Sequence, residues 1–219
     1  MAADSVVILI LNTILFWIAT VARAVRRARC SIFTVAGAYG LSLLVGIIMV
    51  HTGNVFALKT RDQLVNQSNQ QNPAALAANQ GDNLRAALWD FAGNLVFGAV
   101  PKTISGFAII FPYPMIAYQG WVGGIVSVRG DHTSRLNDPR SGVYYLLTLL
   151  LQLTPYSLAI GAGVNVGVAL FRPQSYYQDQ KWLGAFPKEA LRDVGRIYAL
   201  VIPLFLVASL WEFLSPWNL

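Results

Sequence analysis

The residue best suited to chemistry is Asp90, in the stretch NLRAALWDFAGNLVFGAV (83–100), where no other charge follows Arg85. A charged side chain at the middle of a bilayer costs about 2.5–3.5 kcal/mol on insertion scales, so in such a run it must face protein or water. Asn94 stands at i+4 on the same helix face, with Gly93 and Phe97 flanking it. A carboxyl and an amide so placed can form a proton or ion site, meet a partner, or bond two helices together. The last is the plainest use, since interhelical hydrogen bonds fix packing where water is absent. His51, closing the preceding apolar run, is at a depth that would let it pair with Asp90. Glu212, in ASLWEFLSPW, reads as an interfacial carboxylate, or as a contact to a partner or to loop arginines.

Asn165 is a second amide in apolar surroundings, in GAGVNVGVALFRP (161–173), framed by Gly163 and Gly167 as GxxxG. Small residues let helices approach closely, and a buried amide then bonds across the contact. The run therefore reads as a helix–helix seam, internal or between copies of the chain. Gly120, Gly123 and Gly124 in YQGWVGG are a candidate for the matching surface. Catalytic signatures are missing: there is no HExxH, Walker A loop, GxSxG or CxxC, and an intramembrane aspartyl protease would want a second aspartate. The expectation is a non-enzyme without metal or cofactor. The single cysteine, Cys30, excludes an internal disulfide and reads as an ordinary buried small residue.

These residues need helices to position them, and the composition supplies apolar ones. Of 219 residues, 55% are hydrophobic and 12% charged, about half the charge of a typical soluble domain. The charges are clumped, leaving windows that read as bilayer spans. The expected fold is an all-α polytopic transmembrane bundle of about six spans, forming a single domain over 1–219. The apolar runs are 5–22, 31–50, 83–100, 105–128, 143–170 and 196–214. Run 5–22 has no basic residue before it and arginines after it, so it reads as a retained helix that spans or lies flat on the membrane, not as a cleaved signal. Pro101 should close the third run, and Pro112 and Pro114 should kink or break the fourth. Pro187 before KEALRDVGR marks a helix start.

The net charge of +6 argues for membrane topology and headgroup contacts rather than nucleic acid, because the basic residues fall between the apolar runs. Arg23, Arg26, Arg27 and Arg29 form a basic loop, and Arg172 sits at the interface after the fifth run, with Tyr176, Tyr177 and Trp182 in the aromatic belt. With 23–30 cytoplasmic, ten basic residues lie inside and six outside. The Asn- and Gln-rich segment 51–84 is then an extracytoplasmic loop, mobile or ordered by a partner, with AALAANQ helical within it, and 171–195 a cytoplasmic one.

The order of these blocks resembles the stage II sporulation protein M family. The resemblance covers about 31–216. It rests on Asn83, Gly98 and Gln119-Gly120, on Pro155 in LTPYSLAIGAGVNVGVALFRP, and on Pro203, Ala208 and Glu212 in IPLFLVASLWEFL. Tyr156 replaces the histidine of the family's signature helix, and that helix's acidic residue is missing. The resemblance implies a five-helix core with an added N-terminal helix, in a bacterial inner membrane, acting as a scaffold for other membrane or envelope proteins. The first functional expectation is thus a non-enzymatic scaffold or accessory subunit in a hetero-complex, with lipids as its other partners; a homo-oligomer stays open. The alternative is a transporter or permease subunit with its polar site at Asp90 and Asn94. The scaffold comes first because the runs show no dense cluster of ionisable groups at mid-membrane.

Overall fold

A computed structural model describes residues 2–172, 177, 181–182 and 186–217. It is all-α apart from one short antiparallel pair, β1 (Lys181–Trp182) with β2 (Phe186–Pro187).

Helix α1 runs unbroken from Ala2 to His51. The arginine segment 23–30, expected to be a loop, is a stretch of this helix, so the first two apolar runs are one rod. The reason lies in the backbone. Neither Gly nor Pro occurs before Gly37, and Ala and Arg are among the best helix formers. Hydropathy falls at the arginines, but helix propensity does not.

The polar segment 51–84 holds a longer helix that was not expected, α2 (Val55–Gln71), and after it the expected one at AALAANQ, α3 (Pro73–Asn79). Asn54 caps the first, its side chain accepting from the Ala57 amide at 3.1 Å, and Asn72 caps the second, accepting from Ala74 at 2.8 Å. Gly53 and Gly81 make the flanking turns at φ of 74° and 81°, where a side chain would be strained.

Pro101 does not end the third run. Helix α4 (Asn83–Ala92) widens into a π-helical stretch (Gly93–Ala99) and continues as α5 (Val100–Ser105). The Val100 amide reaches back to the Leu95 carbonyl, an i→i−5 bond. That wider turn just before Pro101 accommodates a residue lacking an amide donor. The break falls later, at 109–111, and Pro112 opens α6 (Pro112–Ile125) at its N-terminus, where proline suits a helix. Helix α7 (Pro139–Phe171) starts on Asp138, whose carboxylate accepts from the Ser141 amide at 2.9 Å. Helix α8 (Lys188–Leu214) begins directly after Pro187, as expected, so 188–195 is helix rather than loop.

Close contacts give the directions of these helices. Gly120 lies against Tyr39 and Gly124 against Leu43 and Ile47, so α6 runs parallel to α1. Gly161 lies against Ile32, while the Tyr145 hydroxyl donates to the Gly123 carbonyl, so α7 runs antiparallel to both. Asp193 meets Arg27 and Ser209 meets Asp90, which sets α8 parallel to α1 and antiparallel to α4. The bundle has an arginine end (Arg23–Arg29 with the start of α8) and a loop end (His51, α2, α3 and the 126–138 turn). Its core holds Val35, Tyr39, Ile116, Ile160 and Phe205.

The two glycine clusters do not face each other, contrary to expectation. A Cβ on Gly163 would collide with the Thr103 carbonyl oxygen, and one on Gly167 would meet the Phe107 oxygen at 2.6 Å. Gly120 and Gly124 abut the backbone of α1, and Gly123 abuts Tyr39 and Leu149. They are two separate seams, both inside the chain. Leu15–His51 of α1, α7 and α8 are long and apolar enough to cross a membrane; α4, α5 and α6 are shorter pieces.

Candidate functional site: a polar chain through the bundle

The fold brings Asp90 and Asn94 into contact and extends them. The Asn94 amide donates to Asp90 Oδ2 at 2.8 Å, and the fully buried Ser209 hydroxyl donates to the same oxygen at 2.7 Å. The Tyr156 hydroxyl donates to Asn94 Oδ1 at 2.7 Å. Gly98, on the π-helical stretch, lies against that hydroxyl, where any Cβ would collide with it. Lys102 follows one turn on. Its ammonium sits 4.7 Å from the centre of the Tyr156 ring and donates to Gln119 Oε1. Phe97 points away and is 81% exposed, so only part of the expected Asp90 face lines the site.

Gln119 opens onto a cavity of about 300 Å³ among α1, α6, α7 and α8. Glu212 lines it on the far side, accepting from the Gln152 amide at 2.7 Å, while its carbonyl accepts from Tyr144 at 2.6 Å. Glu212 is therefore a bundle residue that shares its cavity with one loop arginine, Arg135. Arg135 also lines the cavity, with a buried Nε that has no hydrogen-bond partner among the described residues. An acid, a base and several amides thus surround one interior space.

His51 does not pair with Asp90. Its ring bonds the Ile47 carbonyl and Ser134 Oγ, both at 2.8 Å, at the loop end. There α2 is tied down by Asp62, which accepts from Arg61 at 2.9 Å and meets His132 Nε2 at 2.9 Å. The Arg61 hydrogen bond, followed by that of His132, holds the Asp62 carboxyl below the usual carboxylate range.

Asn165 belongs to a different network, at the arginine end. Its amide donates to the Tyr177 hydroxyl at 2.8 Å, which donates to Asp193 Oδ2 at 3.1 Å. Burial, and then the neighbouring Asp193, push the Tyr177 phenol up. Tyr177 is thus a buried anchor, not a headgroup-belt residue; Tyr176 and the Trp182 side chain lie outside the described residues. Asp193 is the centre of this cluster. Arg27 grips it with two bonds, Nε to Oδ2 at 2.6 Å and Nη2 to Oδ1 at 2.5 Å, and Arg196 adds one at 2.8 Å. Arg23 bonds Thr20 at 3.2 Å. Arg172 is exposed at the C-cap of α7, and Cys30 is exposed, not buried.

Lys102, Gln119, Gln152, Tyr156 and Ser209 were not singled out from sequence as site residues. Lys102 had a signal, being the lone charge between Asp90 and Arg129; it was assigned to a connection on the strength of Pro101. The glutamines and the serine had none, since only packing shows which of them face inward. Among the described residues, no three His, Cys, Asp or Glu side chains are grouped to hold a metal ion. No family model matches the chain, and no curated protein or solved structure matches it.

Proposed function

We propose that the chain is a non-enzymatic, multi-pass protein of the bacterial inner membrane. In this reading α1 from Arg23 onward, α4 with α5, α6, α7 and α8 cross the bilayer, and the bundle works as a transporter or permease subunit for a small polar solute. The observation that carries it is the polar chain. The scaffold expectation came first because no cluster of ionisable groups was visible at mid-membrane. In the bundle Asp90 is linked through Asn94 to Tyr156, Lys102 sits over the Tyr156 ring and bonds Gln119, and Gln119 opens onto the cavity lined by Glu212 and Arg135. Ionisable residues so placed within spans mark solute or proton paths more than packing alone. The π-helical stretch beside Asp90 and the broken α5–α6 hairpin add irregular backbone next to the site, a feature of membrane binding sites. Ile110 and Phe111, 74% and 70% exposed at the hairpin turn, suit an apolar surrounding.

The test is Asp90→Asn in proteoliposomes, scored for solute-driven currents and for proton flux. Transport predicts lost turnover with unchanged assembly. Equal flux in the variant, or collapse of the fold with no flux in either, would remove the reading.

A scaffold or accessory-subunit role is the second reading, and one observation favours it. On α1 beyond the bundle, Leu15, Phe16, Trp17 and Ile18 are each more than half exposed. A docked membrane protein would cover them. Purification from the source membrane in mild detergent, with mass spectrometry of co-purifying chains, tests it: stoichiometric partners support it, and a partner-free particle sinks it.

A further inference from the structure

Gly161 brings α7 directly against the backbone of α1 at Ile32. Toward the arginine end the two helices leave a cleft of about 460 Å³ between them, reaching from Arg23 on α1 to Asn165 and Val168 on α7. Arg23, Arg26, Arg27 and Arg29 all line it, and no carboxylate among the described residues does. Asp193 pairs with Arg27 and Arg196, and Glu189 with Arg27, Arg192 and Arg196. Arg26 and Arg29 have no hydrogen-bond or ion-pair partner among the described residues. Two exposed guanidinium groups thus line a cavity with their donors unspent, a chemistry matched to a phosphate.

What continues from the arginines identifies the phosphate's carrier. Residues 26, 30, 33, 37, 41, 44 and 48 fall on one face of α1 at spacings of three or four. Phe33, Leu41, Leu44 and Ile48 on that face are 73%, 69%, 53% and 61% exposed, and nothing lies within 4 Å of where a Cβ would stand on Gly37. A basic cleft therefore opens onto an apolar stripe of the same helix face. A free anion would use only the cleft, whereas a lipid would use both.

We propose that this cleft binds the phosphate headgroup of an anionic phospholipid, held by Arg26 and Arg29, with its acyl chains lying along Phe33, Gly37 and Leu41. Arg27, committed to Asp193, fixes the helix that presents them.

The experiment uses the full chain in a non-ionic detergent. Phosphatidylglycerol, phosphatidylcholine and sodium phosphate are titrated separately at constant ionic strength, with bound lipid read by native mass spectrometry and occupancy by thermal shift. Phosphatidylglycerol should be retained and stabilising, and phosphatidylcholine should not. Since each basic residue at an anionic lipid surface contributes roughly fivefold, Arg26→Gln/Arg29→Gln should weaken retention roughly 25-fold. Lys59→Gln/Arg85→Gln, which removes the same charge from exposed sites at the loop end, should leave it unchanged. Arg26→Lys/Arg29→Lys should fall between, keeping charge but losing the guanidinium fork. Equal loss in both glutamine pairs would reduce the effect to net charge and overturn the site. Unchanged retention in Arg26→Gln/Arg29→Gln would overturn it too. Stabilisation by sodium phosphate that phosphatidylglycerol cannot match would reassign the anion from a lipid to a free phosphate and overturn the lipid proposal.

Discussion

Asp193→Asn should be the most damaging single change at the arginine end. The carboxylate side chain is 2% exposed and accepts four hydrogen bonds, three of them from guanidinium groups. Breaking one partner of a buried ion pair costs about 3–5 kcal/mol, because the remaining charge is stranded. Here the stranded cations are Arg27 and Arg196, whose side chains are 22% and 24% exposed. Water reaches both in part, so the lower end applies, about 3 kcal/mol. For a chain of this length about 1 kcal/mol shifts the melting temperature by roughly 2–4 °C, which predicts a fall of roughly 6–12 °C. The assay is thermal unfolding of the purified protein followed by tryptophan fluorescence. The double variant Arg27→Met/Asp193→Leu separates charge from packing: replacing a buried pair by apolar residues is often near neutral, so it should recover most of the loss. A drop below roughly 2 °C for Asp193→Asn, or a double variant worse than the single, would refute the claim that this cluster pins α8 to α1.

Two further expectations test separate parts of the bundle. Gly163→Ala drives a methyl into the Thr103 carbonyl and should destabilise by about 1–3 kcal/mol, whereas Gly37→Ala, in open space on the same kind of helix interior, should stabilise by about 0.5–1 kcal/mol; paired melting curves check the opposite signs. Asp62 has its pKa depressed in the folded chain, so its contribution is present above the ordinary carboxylate pKa and is lost as pH falls through the folded value. The stability difference between the native chain and Asp62→Asn should therefore be constant near neutral pH and shrink below about pH 4, read as protease sensitivity of α2.

The sequence exposed the long apolar helices because hydropathy depends on residue type alone. It placed the start of α8 through Pro187 and a break in the fourth run through Pro112, and it isolated Asp90 and Asn94 as a pair. It misjudged α1 because hydropathy drops at Arg23–Arg29 while backbone preference carries the helix through. Within 51–84 it marked the helix at AALAANQ but missed α2, because few aromatics argue against a core, yet an asparagine cap and the buried Ala57 and Arg61 accompany an ordered helix there. The site was half legible. A carboxyl in an apolar run announces itself, but Gln119, Gln152 and Ser209 are ordinary surface types. Only the helix crossings turn them inward. Glu212 and Asn165 were noticed, yet their partners were hidden in helices more than ten residues away in sequence.

The unbroken α1 has a mechanical consequence. Ala24 and Ala28 are buried in the core and Arg27 is bonded to Asp193, so the bundle holds the helix as far as Ala24. At 1.5 Å per residue, Leu15 stands about 14 Å beyond that point. With no proline or glycine between them, that length behaves as a stiff arm. A tilt of about 10° at its base would swing Leu15 sideways by about 2 Å on that spacing. A small rearrangement around Asp193 or the polar cavity would therefore be read out, amplified, by whatever touches the far end of the arm.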